Sequence, residues 1–405
     1  MKADAFALRL LIVIQLLSMG AMEMSGPFWP LQIQALSGGD DPRVIALLSS
    51  AVYAGPMIAA MLLTPLWGRL GDRTGHKPMI LRALLALALC QGLAGVISNP
   101  WGLVGVRIAQ GALAGFLAAA QAYALYWCTP TSRGRTLAHL QSVTAIGSLL
   151  GPVLGGWLMD SAGFAVLCFS ATGICLACAL VSAWLPADPA RARAAKHQGT
   201  SASPLPRRWL GGILLIIVLV QAAKIMPQPF YALYVAEVLT APSWIIGATY
   251  GASALTLALS APLWGRLFDR LQPAQTLKVI ERVTWLCAAT LAATALVGQW
   301  PAFMATRLVW GVWQGALLPV AYMLIATTVS HQQQGFAMGL GNSAAKAGAL
   351  LGTVVGGVAM ATVGLHHAFW FVASAYLCAA LFIGLVRRHH GASASFVSAN
   401  PTHNA

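Results

Sequence analysis

The chain has 405 residues, of which 58% are hydrophobic and only 8% are charged, and its formal net charge is +14. A soluble domain carries about 25% charged residues. This composition therefore excludes an ordinary water-exposed surface and predicts a bundle embedded in lipid. The basic residues lie in short turns between apolar runs and form neither an arm nor one basic face, so we expect no nucleic-acid partner.

Twelve apolar runs reach roughly the 20 residues that a membrane-spanning helix needs. The predicted spans are 7–33, 44–67, 79–98, 101–127, 137–159, 164–185, 209–236, 243–263, 279–298, 302–329, 335–362 and 367–386. The predicted fold class is therefore all-α and integral to the membrane, with twelve transmembrane helices. The first run extends too far for a signal peptide and contains Glu23, so we expect it to be retained as a helix.

The distribution of basic residues predicts how the chain is oriented. With the N-terminus inside, the outer turns contain a single basic residue, Arg43, and the inner turns contain nearly all the others. This asymmetry is what the positive-inside rule describes. We therefore expect a multi-pass protein of a bacterial-type inner (plasma) membrane, with both termini in the cytoplasm.

Residues 186–208 form the longest polar segment and are rich in Ala, Pro, Ser and basic side chains, which is typical of a flexible linker. The linker predicts an N-terminal six-helix bundle over 1–185 and a C-terminal six-helix bundle over 209–388. The remaining residues, 389–405, are predicted to be a disordered cytoplasmic tail.

The two predicted bundles repeat one plan. The charged turn T-P-L-W-G-R-L-G-D-R at 64–73 returns as A-P-L-W-G-R-L-F-D-R at 261–270, an offset of 197. Arg107-x-x-x-Gly111-x-x-x-Gly115 returns from Arg307 at an offset of 200, and the glycine pattern 147–156 returns at 348–357, an offset of 201. Two parallel six-helix repeats around a central cavity are typical of a transporter whose halves rock around a site at mid-membrane.

The same segments resemble the major facilitator superfamily, in particular its twelve-helix proton-coupled drug and metabolite exporters. Residues 68–77 are similar to the family motif G-x-L-x-D-R-x-G-R-K, with His76 in place of an arginine. Residues 107–111 resemble R-x-x-Q-G, and residues 147–156 match the antiporter motif G-x-x-x-G-P-x-x-G-G without departure. The resemblance covers nearly the whole chain and implies export of a small molecule.

Glu23 is the only carboxylate deep in the first six spans, and Gly26, Pro27 and Pro30 interrupt the helix beside it. An ionised carboxylate is costly in lipid, so the side chain tends to bind a proton or a positive partner. We predict that Glu23 contributes to proton coupling and substrate binding. The alternative is a structural ion pair with Arg107 or Lys224.

Arg107 is predicted to act in proton coupling, because the resemblance assigns that role to its counterpart in the family. The alternative is that its guanidinium joins two helices through carbonyl oxygens.

Two lysines lie away from the ends of their spans, Lys224 in the seventh and Lys346 in the eleventh. Their ammonium groups reach the interface with difficulty, so both are predicted to face the cavity and to favour an anionic or zwitterionic substrate. Pairing with Glu23 or Glu281 is the alternative. Among the aromatic residues, Trp29, Tyr231 and Trp313 are predicted to contact substrate.

The charged turn is predicted to be a conformational gate formed by Gly68, Asp72, Arg73 and Lys77, with Asp269 as the counterpart in the second repeat. An acid at this turn can accept hydrogen bonds from the N-terminus of a neighbouring helix in one conformation and lose them in another. The alternative is a solvated turn that fixes topology.

The residues of the antiporter motif, Gly147, Gly151, Pro152, Gly155 and Gly156, allow close helix approach and a bend. The seam that they form is a plausible place to control leak.

We therefore predict a proton-coupled antiporter that exports a small organic molecule by alternating access. The chain contains no P-loop, so we expect the proton gradient and not ATP to be the energy source, with no cofactor. We expect no metal, because the histidine pairs 366–367 and 389–390 have no acidic or cysteine neighbours, and we expect no enzymatic activity. An anionic metabolite of the siderophore or metallophore type is one substrate class, and a broad-specificity multidrug efflux pump is the alternative. A polytopic membrane enzyme is a remote alternative, because the ten acidic residues are scattered. We expect a monomer in the lipid bilayer.

Overall fold

The computed structural model describes residues 2–38, 41–128, 133–188, 207–268, 270–328 and 334–398. Within these ranges the regular structure is helical throughout, with no strand. In chain order the α-helices are α1 (Lys2–Met24), α2 (Trp29–Ser37), α3 (Pro42–Thr74), α4 (His76–Val96), α5 (Pro100–Ala112), α6 (Phe116–Tyr126), α7 (Arg133–Ser182), α8 (Arg207–Ile225), α9 (Tyr231–Leu233), α10 (Ser243–Phe268), α11 (Pro273–Leu296), α12 (Trp300–Thr328), α13 (Gln334–Val363) and α14 (Leu365–Ser398).

The helices account for all twelve predicted spans. In the described part of the chain, nine helical segments are long and apolar enough to cross a membrane. One of them, in α7, contains two spans, because Gly163 breaks the helix with φ 83° and ψ 174°. A shorter apolar helix covers 209–225, and α12 covers the tenth span. The predicted fold class of twelve membrane-spanning helices is confirmed.

Three spans are interrupted where the chain contains helix breakers. Span 1 consists of α1, a turn of 3-10 helix over Gly26–Phe28, and α2. Span 4 breaks between α5 and α6, where Gly115 has a φ of 126°. Span 7 ends as a regular helix at Ile225 and continues through α9 and a π-helical segment, Tyr234–Val238. Prolines at 227 and 229 explain this last break, because proline cannot donate the backbone hydrogen bond that a helix interior requires.

The C-terminal segment differs from its prediction. Residues 389–405 were expected to be disordered, yet α14 continues to Ser398. Extending an existing helix costs far less than starting one, and the extension contains no proline. Residues 399–405 lie outside the described chain.

The chain divides into two compact units. The first comprises Met1–Gly199 and Gln228–Ala254, and the second comprises Thr200–Pro227 and Leu255–Ala405. The end of span 7 and the beginning of α10 therefore pack with the first unit, whereas the sequence prediction assigned them to the C-terminal bundle. Most of the predicted linker, residues 189–206, lies outside the described ranges.

Each unit contains the same internal hydrogen bond. The indole Nε1 of Trp67 donates to the Ala112 carbonyl over 2.7 Å, and Nε1 of Trp264 donates to the Val312 carbonyl over 2.8 Å. The donors are 197 residues apart and the acceptors 200, which are the offsets of the two sequence motifs that contain them. The repeat detected in the sequence thus has a counterpart in the contacts.

Glycines allow the backbones of two helix pairs to touch. A Cβ atom at Gly151 would lie 2.5 Å from the Gly20 carbonyl oxygen of α1, and one at Gly155 would lie 2.0 Å from that of Met24. In the second unit, a Cβ at Gly352 would lie 2.1 Å from the Ala222 carbonyl oxygen of α8. Any larger residue at these positions would push the helices apart.

We expect Gly155→Ala to destabilise the protein by about 1–3 kcal/mol, because the added methyl group overlaps the Met24 carbonyl. The measurement is thermal unfolding in detergent. Gly173→Ala is the matched control, since a Cβ at that exposed helical position meets nothing within 4 Å. Equal melting temperatures for the two variants would contradict the close approach.

Candidate functional site

Glu23 lies at the end of α1, directly before the break in span 1. Its side chain is half-buried, and a Cβ at Gly26 would lie only 3.0 Å from its Oε2, so the glycine makes room for the carboxylate. Among the described residues, no hydrogen-bond donor or basic group pairs with Glu23. The described part of the chain therefore offers the Glu23 carboxylate no hydrogen bond or ion pair that would hold it permanently ionised.

Arg107 is the basic residue that acts electrostatically on Glu23. Its Nε donates to the Val52 carbonyl of α3 over 3.2 Å, and Nη1 donates to the side-chain oxygen of Gln110. Its guanidinium lies 4.6 Å from the centroid of the Trp29 ring. Arg107 therefore joins two helices through a carbonyl, as the alternative interpretation proposed, and remains a neighbour of Glu23 without forming an ion pair.

Two of the predicted aromatic contacts are already packed. Trp29 is 1% exposed, lies under Arg107 and meets the Phe164 ring edge-on at 5.4 Å. Tyr231 is 2% exposed and meets Tyr250 edge-on at 5.6 Å. In this conformation protein covers both rings, and contact of Trp29 or Tyr231 with a substrate stays a prediction.

Trp313, in the second unit, is half-buried and lies beside Trp264 at 6.3 Å.

A pair of tyrosines near Glu23 was missed by the sequence analysis. The Tyr53 hydroxyl donates to the Gly26 carbonyl over 2.7 Å, at the break in span 1. Glu23, Arg107 and Tyr250 all act electrostatically on Tyr53. Tyr53 and Tyr250 are 197 residues apart, which is the offset of the charged turns. Aligning the repeats across the neighbouring helices would have found them.

The two central lysines lie at different depths. The contacts of Gly348 with Val218 and of Gly352 with Ala222 show that α8 and α13 run in register at an offset of 130. Lys224 is therefore level with residue 354, eight residues from Lys346, or about 12 Å along a helix axis. Lys224 is half-buried and Lys346 is exposed, so the pair does not form one compact site.

Neither lysine forms a hydrogen bond or an ion pair with a described residue. The proposed partner Glu281 instead binds Arg387, whose Nε lies 2.6 Å from Oε2 of Glu281.

The charged turn is tied to its own unit through Lys77. The Lys77 ammonium donates to the carbonyls of Ala183 and Leu185, and the Lys77 backbone N–H donates to the Asp188 carboxylate over 3.2 Å. Asp72 is exposed, with its Oδ1 3.8 Å from the His76 Nε2. Arg73 and Gly68 are also exposed, and Asp269 lies outside the described residues.

We expect Tyr53→Phe to destabilise the protein by about 1–3 kcal/mol, because it leaves the Gly26 carbonyl without its donor. Thermal unfolding in detergent measures the effect. Tyr126→Phe is the control, since the Tyr126 hydroxyl has no hydrogen bond to a described residue and its half-buried ring stacks on His76. A loss of stability in the control as large as in Tyr53→Phe would contradict the role of the hydroxyl.

Comparisons with known proteins agree with this architecture. The family profile described as Major Facilitator Superfamily matches residues 11–297 and 213–402. The "Multidrug resistance protein MdtG" of Dickeya zeae is 29% identical over 378 residues, covering 91% of each chain. The "Staphyloferrin B transporter" of Staphylococcus aureus is 28% identical over 360 residues, covering 86% of this chain and 85% of its own.

A solved structure shows the same fold. The bacterial homologue of the human lysosomal transporter Spinster superposes with a TM-score of 0.76 at 13% identity, over 95% of this chain and 97% of its own. With the profile spanning nearly the whole sequence and twelve membrane-spanning helices in place, this chain is a multi-pass membrane protein that belongs to the Major Facilitator Superfamily.

Proposed function

We propose that this protein is a proton-coupled antiporter that exports a small organic molecule across the inner membrane. The observation that carries the proposal is the half-buried Glu23 carboxylate, which has no partner among the described residues and lies at a helix break beside Arg107. A carboxylate in such surroundings is free to bind and release a proton. The names of the relatives support export, since one is a multidrug resistance protein and another a staphyloferrin B transporter.

An anionic or zwitterionic metabolite of the siderophore type is the substrate class that the central charges favour. The half-buried Lys224 has no acidic partner among the described residues, and a buried ammonium group is costly unless an anion accompanies it. Met24 and Met226 occupy matching places in the two repeats, because Gly155 meets the Met24 carbonyl and Gly356 meets that of Met226. Glu23 lies one residue before Met24, and Lys224 lies two residues before Met226. Broad multidrug efflux is the second candidate, and the relationship to MdtG favours it.

The remaining features of the proposal concern topology, assembly, the energy source and the inner gate. Both termini are cytoplasmic, the protein works as a monomer, and the proton gradient replaces any cofactor or ATP. The charged turn acts as the inner gate, in which Asp72 accepts hydrogen bonds from the N-terminus of a neighbouring helix in one conformation and loses them in another. Asp72 suits this role because its side chain is exposed, whereas Lys77 is bound within its own unit.

We expect Glu23→Gln to abolish export, because glutamine has the size of glutamate and cannot exchange a proton. The measurement compares spent medium and cell extract by mass spectrometry. The strains are a deletion complemented with wild type, Glu23→Gln or nothing, each grown with metals replete and depleted. A chelating metabolite retained at least tenfold in both mutants would support the dedicated exporter.

Glu281→Gln is the matched control, because Glu281 is also a carboxylate within a span but is paired with Arg387. At equal amounts in the membrane it should export normally. Dyes or antibiotics retained by Glu23→Gln, with metabolites unchanged, would favour the multidrug pump. Normal export by Glu23→Gln would overturn the proton-coupling role of this residue.

Lys224→Gln is expected to reduce export of an anionic substrate about tenfold or more, while Lys346→Gln has a smaller effect. The difference follows from depth and exposure, since Lys224 is half-buried and Lys346 is exposed about 12 Å away along the helices. Concentration-dependent uptake into inverted membrane vesicles separates an effect on KM from one on the maximal rate. Unchanged transport by Lys224→Gln would remove the argument for an anionic substrate.

A further inference from the structure

Asp160 caps a helix that belongs to the other sequence repeat. Its Oδ1 accepts a hydrogen bond from the Ser243 N–H over 2.9 Å, and its Oδ2 accepts one from the Trp244 N–H over 2.8 Å. Ser243 is the first residue of α10, so both carboxylate oxygens bind the N-terminus of that helix. Asp160 lies in the first repeat of the sequence and α10 in the second, and all three residues lie in the first compact unit.

This position is unfavourable for an acid in its own helix. Asp160 lies three residues before the break at Gly163, where the carbonyl ends of the helix repel negative charge. The N-terminus of α10 supplies the opposite polarity. The preceding residue, Pro242, has no side-chain acceptor and the first turn contains no acid, so α10 has no cap of this kind within its own sequence.

The backbone around the contact is shaped for close approach. A Cβ at Gly156 would lie 2.5 Å from the Ser243 carbonyl oxygen, and one at Gly247 would lie 2.0 Å from that of Pro152. One face of the antiporter motif therefore packs on α1 and another, containing Pro152 and Gly156, packs on α10. Asp160 closes this second seam at the end that the predicted topology places outside.

We propose that Asp160 is a positioning residue that latches α10 to α7 and keeps the outer side closed until transport requires it to open. The inference rests on the proposed alternating-access function. Two charge-assisted hydrogen bonds are lost when the helices separate, so the latch favours the closed outer side without preventing its opening.

Asp188 provides a matched control, because it caps a helix without joining the repeats. Its carboxylate accepts from the Lys77 N–H in the first turn of α4, over 3.2 Å, and both residues belong to the first compact unit, with Asp188 at the start of the linker. Removing Asp188 also removes a carboxylate from a helix N-terminus. It should leave the outer side closed.

The test is double electron–electron resonance between spin labels at Trp101→Cys and Leu296→Cys, in a background with the native cysteines replaced. Both sites are exposed and lie at predicted outer ends, one in each repeat. Without substrate or gradient, Asp160→Ala should increase the fraction of long distances at least threefold over wild type. In Asp160→Asn, the fraction of long distances should lie between those of wild type and Asp160→Ala, because the amide oxygen still accepts one hydrogen bond. In Asp188→Ala, the fraction should equal that of wild type.

An unchanged distance distribution in Asp160→Ala, or an equal shift in Asp188→Ala, would overturn the latch. If Asp160→Ala does not fold, the comparison of Asp160→Asn with wild type decides in the same way. Because the readout needs neither substrate nor protons, it remains valid whatever Glu23→Gln does to export.

Discussion

A bilayer interior contains no water to solvate an ionised side chain, so each of the few charges in the spans needs a stabilising partner within the protein. Glu281 meets this need by pairing with Arg387. Arg107 meets it with a carbonyl, an amide and an indole face. Glu23 has no hydrogen bond or ion pair with a described residue, which distinguishes it from these two charges.

The two repeats share a scaffold but not a charge pattern. The tryptophan–carbonyl hydrogen bonds and the glycine seams recur in both units. Close to those contacts, however, one repeat carries Glu23, one residue before Met24, and the other carries Lys224, two residues before Met226. The repeated contacts belong to the shared scaffold, whereas the charges near them differ in sign from one repeat to the other.

The spans were predictable because lipid demands long apolar runs, and such runs are visible without any knowledge of packing. The interruption of span 7 was not predicted, because its two prolines lie inside a run that remains apolar. Glu23, Arg107 and Lys224 stand out in the sequence because charges are rare in the spans, and their roles stay predictions. The burial of Trp29 and Tyr231 under other side chains was not predictable, because a sequence shows an aromatic ring without showing what covers it. Asp160 looked like any acid in a turn, because a hydrogen bond between distant helices leaves no local pattern.

The antiporter motif binds two neighbours through backbone contact. Gly151 and Gly155 touch α1 beside Glu23, while Pro152 and Gly156 touch α10. Consecutive residues of a helix point about 100° apart, so two adjacent faces of the same turns of α7 are held by two different helices. The antiporter motif is therefore shared by α1 and α10, and a bulky substitution within it would disturb the packing of both helices at once.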